Sequence, residues 1–276
     1  MIYFYSVGTT ARSSPFAVRV QMRGGVLNEF FPNATASIAR DDARIANKIS
    51  AGVIDKNSPI VLDNYVLGKL EWPLVTLDAS AKPPHTSSAI WNAPRDVRAA
   101  TLTVGNEGEH YLFYRGVAHL EALLRTKHSK DRVQLGAPEH LPWLAASSYT
   151  LPHVWLVDVH QDGSIAFTEL RQVTVAKNAP ATALAELPLF IADRYSTAQA
   201  AALHSSMHGA LVEAGLYDDE ASAMLATWNA SYFQTPGLRI FYIVPREWFD
   251  YFLPLEISAP HTLTRVLVGR IDLLSS

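Results

Sequence analysis

Two histidines four residues apart are the first feature of this 276-residue chain that could do chemistry. His204 and His208 lie in a segment with helical periodicity, where a four-residue step brings two side chains to neighbouring positions. One metal ion could bridge the two imidazoles, so this pair is our candidate metal site. The glutamate of the H-E-x-x-H proteases is absent, because residues 205–207 are Ser-Ser-Met. A solvated helix face is the alternative interpretation.

A cluster of aromatic side chains beside an arginine is the candidate binding site. Tyr111, Tyr114 and Arg115 crowd one strand and its end, and Gly116 follows directly. Aromatic rings and a guanidinium group give a large contact area with directed hydrogen bonds, as a binding groove requires. Alternation along the strand sends Tyr111 and Tyr114 to opposite faces. A strand with one half-buried aromatic face explains the same residues.

Acidic residues and a histidine alternate along another predicted strand. Asp158, His160 and Asp162 could converge on one face and hold calcium or act in catalysis. The calcium-loop pattern is incomplete, however, and Asp162 is typical of a turn. No G-x-S-x-G elbow, P-loop or G-x-G-x-x-G fingerprint occurs, so we expect no cofactor and identify no catalytic residue.

The many aromatic residues of the last eighty positions have two interpretations. They could form a sugar-binding platform, but their helical and strand spacing favours a packed core. We expect Trp228, Phe241, Trp248 and Phe252 to be buried, each contributing about 2–3 kcal/mol to stability.

A helical hairpin followed by an apolar strand is the clearest pattern among the elements that position these residues. Ser196 and Gln199 have the spacing of a capping box and open a helix whose apolar stripe ends at Gly215. Acidic residues at 218–220 begin a second, antiparallel helix. Residues 238–244 form a nearly uninterrupted apolar strand, which predicts that both of its faces are covered.

Short strands and turns dominate the first 180 residues. Asp162-Gly163 is a strong hairpin signal between strands 154–160 and 164–170. We expect a second hairpin with arms 101–104 and 110–114 around Gly105 to Gly108. Pieces at 65–67 and 74–77 are interrupted by Gly68 and Pro73, and residues 41–49 fit either a short helix or a loop.

The fold class that follows is mainly β with α (α+β). We predict an antiparallel β-sandwich that carries a helical hairpin and is followed by C-terminal strands. No βαβ rhythm appears, which argues against a Rossmann or barrel enzyme. Residues 1–180 form the β-rich half, and residues 181–276 form the helical hairpin with further strands, either separate or packed into the same core.

Composition narrows the classes of partner. The net charge of -3 and the absence of a basic run argue against a nucleic-acid partner. Zero cysteines exclude disulfides and thiolate chemistry without fixing the compartment. No signal peptide or transmembrane run is visible, and a leader removed before Met1 is one explanation. The sequence does not identify a small-molecule ligand.

Several sequence blocks resemble a family of uncharacterised bacterial proteins that open with a "YFYP"-type strand. Ser6 stands where that family has proline. The resemblance implies an exported or envelope protein, because relatives often carry a leader before this strand, and it implies no activity. The blocks are Tyr3-Phe4-Tyr5, Gly25-Val26-Leu27 with Phe30-Phe31-Pro32, Trp91 to Val97, Tyr111 to Gly116, Ala214 to Tyr217, and Pro236 to Trp248 with Leu253-Pro254-Leu255.

These observations favour a non-enzymatic, periplasmic or envelope-associated protein that acts through protein–protein contacts, as an accessory subunit of a larger assembly. A cytoplasmic location remains open. One alternative is a hydrolase or carbohydrate-binding protein with a cleft between the two halves. Another is a metal-binding protein that uses His204 and His208.

Overall fold

The computed structural model describes residues 1–6, 12–52, 55, 65–120, 122–129, 131–176 and 185–273, apart from the side chains of Arg44 and Asn47. Across these residues the chain is mainly β. The strands are β1 (Phe16–Arg23), β2 (Gly25–Phe31), β3 (Thr35–Arg40), β4 (Val66–Leu77), β5 (Leu102–Val104), β6 (Glu107–Glu109), β7 (Phe113–Ala118), β8 (Arg125–His128), β9 (Arg132–Gly136), β10 (Ser148–Val159), β11 (Ile165–Ala176), β12 (Ala185–Pro188), β13 (Gly237–Ile243), β14 (Leu255–Ile257) and β15 (Val268–Leu273). The helices are α1 (Asp42–Ser50), α2 (Ala89–Asn92), α3 (Ala198–Glu213), α4 (Asp218–Asn229) and α5 (Arg246–Phe252).

Backbone contacts divide the chain into two compact units, each made of separate stretches of sequence. The first unit comprises residues 1–87, 97–120 and 249–262. The second comprises residues 88–96, 121–248 and 263–276. The chain therefore enters and leaves each unit more than once. The strands and helices given above confirm the predicted α+β class with antiparallel sheets.

The sheet of the first unit is built around β4. Strands β1 and β3 flank β4 in antiparallel pairing, and β14 pairs with the other edge of β1. Strand β2 touches β4 in parallel at one residue pair and pairs with β7 in antiparallel fashion. The buried side chains of β1 and β4 share one core, whose members include Val18, Val20, Leu70 and Trp72.

Strand β2 crosses β4 at Gly68, where the two backbones are in contact. A Cβ atom at Gly68 would lie 2.7 Å from the carbonyl oxygen of Gly25 and 2.9 Å from Cα of Val26. Gly116 on β7 is equally confined, since a Cβ atom there would collide with the carbonyl oxygen of Val26. Strands β4, β2 and β7 belong to one sheet, which is compatible with the predicted sandwich.

Two strand predictions in the first unit are wrong. Residues 66–77 form one continuous strand, because Pro73 lies at a bulge where the β1–β4 register shifts and a missing N–H is tolerated at such a site. The second hairpin turns at Gly105 and Asn106, so its arms are β5 and β6, and residues 110–114 are not its second arm. Residues 42–49 of the ambiguous stretch at 41–49 belong to helix α1.

The central sheet of the second unit has the order β11-β10-β13-β15 and is antiparallel throughout. The hairpin predicted at Asp162-Gly163 is confirmed, with Gly163 at a φ of 80°. Strand β13 is buried from Arg239 to Ile243, as its apolar run predicts. A smaller sheet has the order β12-β9-β8.

The helical hairpin of α3 and α4 packs on this central sheet. Buried Leu203, Met207 and Leu211 of α3 share a core cluster with Trp155 and Val157 of β10. Strands before residue 180 and helices after it therefore contribute to the same core. The predicted boundary at residue 180 itself lies outside the described residues.

The prediction that Trp228 is buried is wrong. The residue is 45% exposed and Trp248 is only half-buried, whereas Phe241 and Phe252 are buried as expected. Helix α4 buries Ala221 and Leu225 in the cluster it shares with α3, and it also contacts the 3-10 turn at Ala93–Asp96. The Trp228 side chain lies outside that cluster and stacks on Tyr232 with 6.1 Å between ring centroids.

Candidate functional site

A polar cluster lies where α3 covers the β10–β11 hairpin. We call it the α3 clamp, and its members are His153, Trp155, Glu169, Ser206 and Glu213. The register of the hairpin places Trp155 directly opposite Glu169, with His153 one diagonal step away. Side chains opposite each other in antiparallel strands share a face, so the sheet presents these three groups together toward the helix.

The polar side chains of the clamp bind one another. His153 Nδ1 lies 2.8 Å from Glu169 Oε1, and its Nε2 lies 3.3 Å from Glu213 Oε2. Ser206 Oγ donates to Glu169 Oε2 at 2.8 Å and accepts from Trp155 Nε1 at 2.8 Å. The His153 ring also stacks on Trp155, with 5.4 Å between centroids and 10° between planes.

Glu169 is the electrostatic centre of the clamp. Burial acts to raise its pKa, but hydrogen bonds from His153 and Ser206 together with the charge of Arg171 hold that pKa below its ordinary value. Arg171 Nε donates to Glu169 Oε1 at 2.9 Å. The carboxylate is therefore kept ionised by three neighbouring groups.

The clamp has the residue types of a hydrolase but not their arrangement. A nucleophilic serine passes its proton to a histidine, whereas Ser206 donates to Glu169. Both ring nitrogens of His153 face carboxylates, and the side chain is only 3% exposed. The geometry therefore fastens α3 to the sheet, since a substrate would find neither nitrogen accessible.

Sequence reasoning missed this cluster, although one signal for half of it was present. The Asp162-Gly163 turn fixes which residues of the two hairpin arms are opposite each other. Extending that register leads to His153 and Glu169. The contribution of Ser206 and Glu213 depends on how α3 lies across the sheet, and no local pattern in the sequence specifies that docking.

In the predicted group at the hairpin tip, Asp158 and His160 share Tyr195 as a neighbour, whereas Asp162 contacts Ser164. Asp158 accepts a hydrogen bond from the Tyr195 hydroxyl at 2.7 Å, and the His160 ring stacks on Tyr195 with 3.7 Å between centroids. Burial and the Asp158 carboxylate raise the pKa of Tyr195. Asp162 accepts from the Ser164 amide and hydroxyl, which lowers its pKa and matches its interpretation as a turn residue.

The predicted binding residues do not form one exposed face. Tyr111 is buried and meets Tyr3 edge-on at 5.9 Å between centroids. Tyr114 is half-buried and packs against the core of the first unit. Arg115 is exposed and forms an ion pair with Glu29 on the neighbouring strand. A binding role for these three residues stays a prediction.

The two predicted metal ligands also have other neighbours. His204 is half-buried beside the Phe233 ring, and burial followed by the charge of His208 lowers its pKa. His208 Nε2 lies 3.2 Å from Ser222 Oγ and 3.3 Å from the carbonyl oxygen of Asp218. Within the described ranges, no group of three or more histidine and carboxylate side chains is arranged to hold a metal ion.

Strand β3 is the most open element of the first sheet. Among the described residues it pairs with β4 alone, and its residues from Thr35 to Ile38 are all exposed. Ile38 is 56% exposed. An unpaired strand edge offers a row of N–H and C=O groups to another chain. We call Thr35–Arg40 the β3 edge and treat it as a candidate protein interface.

Comparisons with known proteins identify no relative of this chain. No family model matches the chain, and neither a curated protein nor a solved structure is similar to it. In the part of the chain that the structure describes, no helix has the length and apolar character needed to cross a membrane.

Proposed function

We propose that this chain is a non-enzymatic, envelope-associated or periplasmic protein that acts through protein–protein contacts as a subunit of a larger assembly. The observation that carries the proposal is the β3 edge. Strand addition at such an edge supplies main-chain hydrogen bonds for affinity, while alternate side chains supply specificity.

The side chains of the β3 edge support this proposal. Ala36 lies opposite Leu70 of β4, and Ile38 lies opposite Gly68. Leu70 is on the buried face of the sheet, so Ala36 and Ile38 lie on that same face. Side chains on one face of a sheet continue from strand to strand. Ile38 therefore extends the apolar face of the sheet beyond the part that the protein itself covers, where an added strand would bury it.

The proposed location has separate support. Sequence blocks such as Tyr3-Phe4-Tyr5 resemble bacterial proteins that often carry a leader before this strand. Fractionation of the source cells, with detection by antibody, tests the location. Recovery in the periplasmic or envelope fraction is expected, and recovery with the cytoplasmic proteins would contradict it.

The contact role is tested by substituting Ile38→Lys, because a charged residue on an edge strand opposes pairing with another chain. We expect wild-type protein, isolated from its source cells, to run above the monomer mass in light scattering and the variant to run as a monomer. Ile38 is already 56% exposed, so the unfolding free energy should change by less than about 0.5 kcal/mol.

Leu74→Lys is the matched control for this experiment. Leu74 is 63% exposed and lies on β4 of the same sheet, away from the β3 edge. The substitution adds the same charge to an equally exposed apolar position and should leave the assembly intact. A wild-type protein that is monomeric when isolated, or an assembly indifferent to Ile38→Lys, would refute the proposal.

A further inference from the structure

The contact between His153 and Glu213 in the α3 clamp requires a proton that the rest of the clamp does not. The lowered pKa of Glu169 keeps this carboxylate ionised near neutrality, so it can only accept hydrogen bonds. His153 Nδ1, 2.8 Å from Glu169 Oε1, is therefore the donor in that pair. A neutral imidazole with its proton on Nδ1 has a lone pair on Nε2. That lone pair would face Glu213 Oε2 at 3.3 Å, so the contact is stable only when Nε2 also carries a proton.

The charges around His153 lead to the same conclusion. Among the described residues, the ring faces Glu169 of β11 and Glu213 of α3, while β10 contributes the uncharged Trp155. Arg171 of β11 pairs with Glu169. One arginine cannot balance two carboxylates, and a protonated His153 supplies the missing positive charge. Because the imidazole is buried, an unbalanced carboxylate against it would be unfavourable.

The two carboxylates that face His153 differ in how freely they can move. Glu169 also accepts hydrogen bonds from Ser206 and Arg171, which hold it in place. Glu213 is the last residue of α3, and its side chain is 61% exposed. Loss of the proton would therefore release Glu213 into water and leave the hydrogen bonds of Glu169 intact.

We propose that the α3 clamp is a proton-dependent contact, in which one proton on His153 Nε2 holds Glu213, and with it the last turn of α3, against the β10–β11 hairpin. An imidazole is ordinarily more basic than a carboxylate, so the proton resides on nitrogen. As pH rises, the Nε2–H bond breaks, the proton passes to water, and the ring keeps its Nδ1–H toward Glu169. The last turn of α3 is therefore held in mild acid and released as pH rises.

Amide hydrogen exchange in the last turn of α3 tests this proposal. The amides of Ala214 and Leu216 donate to the carbonyl oxygens of Ala210 and Leu211, so their protection reports opening of that turn. Protection factors are compared, since they correct for the base-catalysed intrinsic rate of exchange. From about pH 5 to 8, where histidine ordinarily changes charge, we expect protection to fall about two- to fivefold, as for an ion pair with one exposed partner.

Glu213→Gln separates the proton from the contact. The glutamine amide can donate to the lone pair on His153 Nε2, so the variant keeps the contact without the proton and its protection should not change with pH. Glu247→Gln is the matched control, because it removes the same charge from an exposed residue elsewhere in the second unit and should behave as wild type. A pH dependence that persists in Glu213→Gln would come from another group, such as His208 beside Asp218, and would overturn the proposal.

Nitrogen NMR of isotope-labelled protein tests the position of the proton directly. At the acidic end of the range both ring nitrogens of His153 should be protonated, and at the alkaline end only Nδ1 should be. A neutral ring protonated on Nε2, or wild-type protection that does not vary with pH, overturns the proposal. Neither measurement involves the β3 edge, so failure here is distinct from failure of the proposed function.

Discussion

Ser206 uses its hydroxyl group twice, once as a donor and once as an acceptor. Ser206→Ala would remove the hydrogen bond to Glu169 and leave Trp155 Nε1, in a fully buried side chain, without its acceptor. An unsatisfied buried group costs about 1–3 kcal/mol. We expect the unfolding free energy in urea to fall by that amount.

The neighbouring Ser205 provides the control for this measurement. Ser205 lies on the same helix but is exposed, so Ser205→Ala should be neutral or slightly stabilising, given the helix propensity of alanine. Equal effects of the two substitutions would show that Ser206 does not connect the helix to the sheet.

Glu169 makes the clamp sensitive to acid. Its pKa in the folded protein lies below the ordinary value of 4.5, so its ionised form stabilises the fold above that pH. This contribution is lost as pH falls through the lower, folded-state pKa. The stability advantage of the wild type over Glu169→Gln should therefore be constant near neutrality and shrink from about pH 5 downward.

Unfolding free energies of both proteins, measured at several pH values, check this expectation. A difference that grows on acidification would mean that the fold does not favour the ionised carboxylate.

At the scale of elements, glycine decides where strands approach each other. Gly116→Ala would drive a Cβ atom into the carbonyl oxygen of Val26 and separate β7 from β2. Overpacking of this kind typically costs about 1–3 kcal/mol, and we expect at least that loss in urea unfolding.

Gly209 is the matched control, because a Cβ atom there meets nothing within 4 Å and the residue lies in the middle of α3. Gly209→Ala should stabilise the protein by about 0.5–1 kcal/mol, the difference in helix propensity. If both substitutions were neutral, the close approach of the paired strands β2 and β7 would not exist in solution.

Elements that are encoded by neighbouring residues were predictable. The α3–α4 hairpin follows from apolar spacing, Gly215 and the acidic start of α4, and the β10–β11 hairpin follows from Asp162-Gly163. Each signal lies within a few residues of the element it specifies. Local encoding also explains why the helical boundaries agree with the structure closely.

Elements that depend on distant contacts were not predictable. Gly68 interrupts the sequence pattern of β4, yet it is glycine because the β2 backbone passes over it. Gly108, which the sequence pattern assigns to a turn, lies within β6 against the backbone of Lys82, where a Cβ atom would lie 2.8 Å from the carbonyl oxygen. The α3 clamp belongs to the same class, since its residues meet only after the helix docks.

At the scale of the whole molecule, the placement of aromatic residues was predicted in part. Phe241 and Phe252 are buried, whereas Trp228 and Tyr217 are exposed on the helical hairpin. Exposed aromatic side chains are typical anchors in protein interfaces. Composition counts such residues but does not say which of them the fold leaves uncovered.

The position of β14 near the end of the sequence determines how late in synthesis the first sheet can be completed. This strand pairs Leu255, Glu256 and Ile257 with β1, although more than two hundred residues separate the two strands in sequence. During synthesis on a ribosome, β1 therefore remains without this neighbour until almost the entire chain has emerged. Nascent chains released before residue 257 would expose that flank of β1, which makes truncated products natural clients for chaperones and proteases.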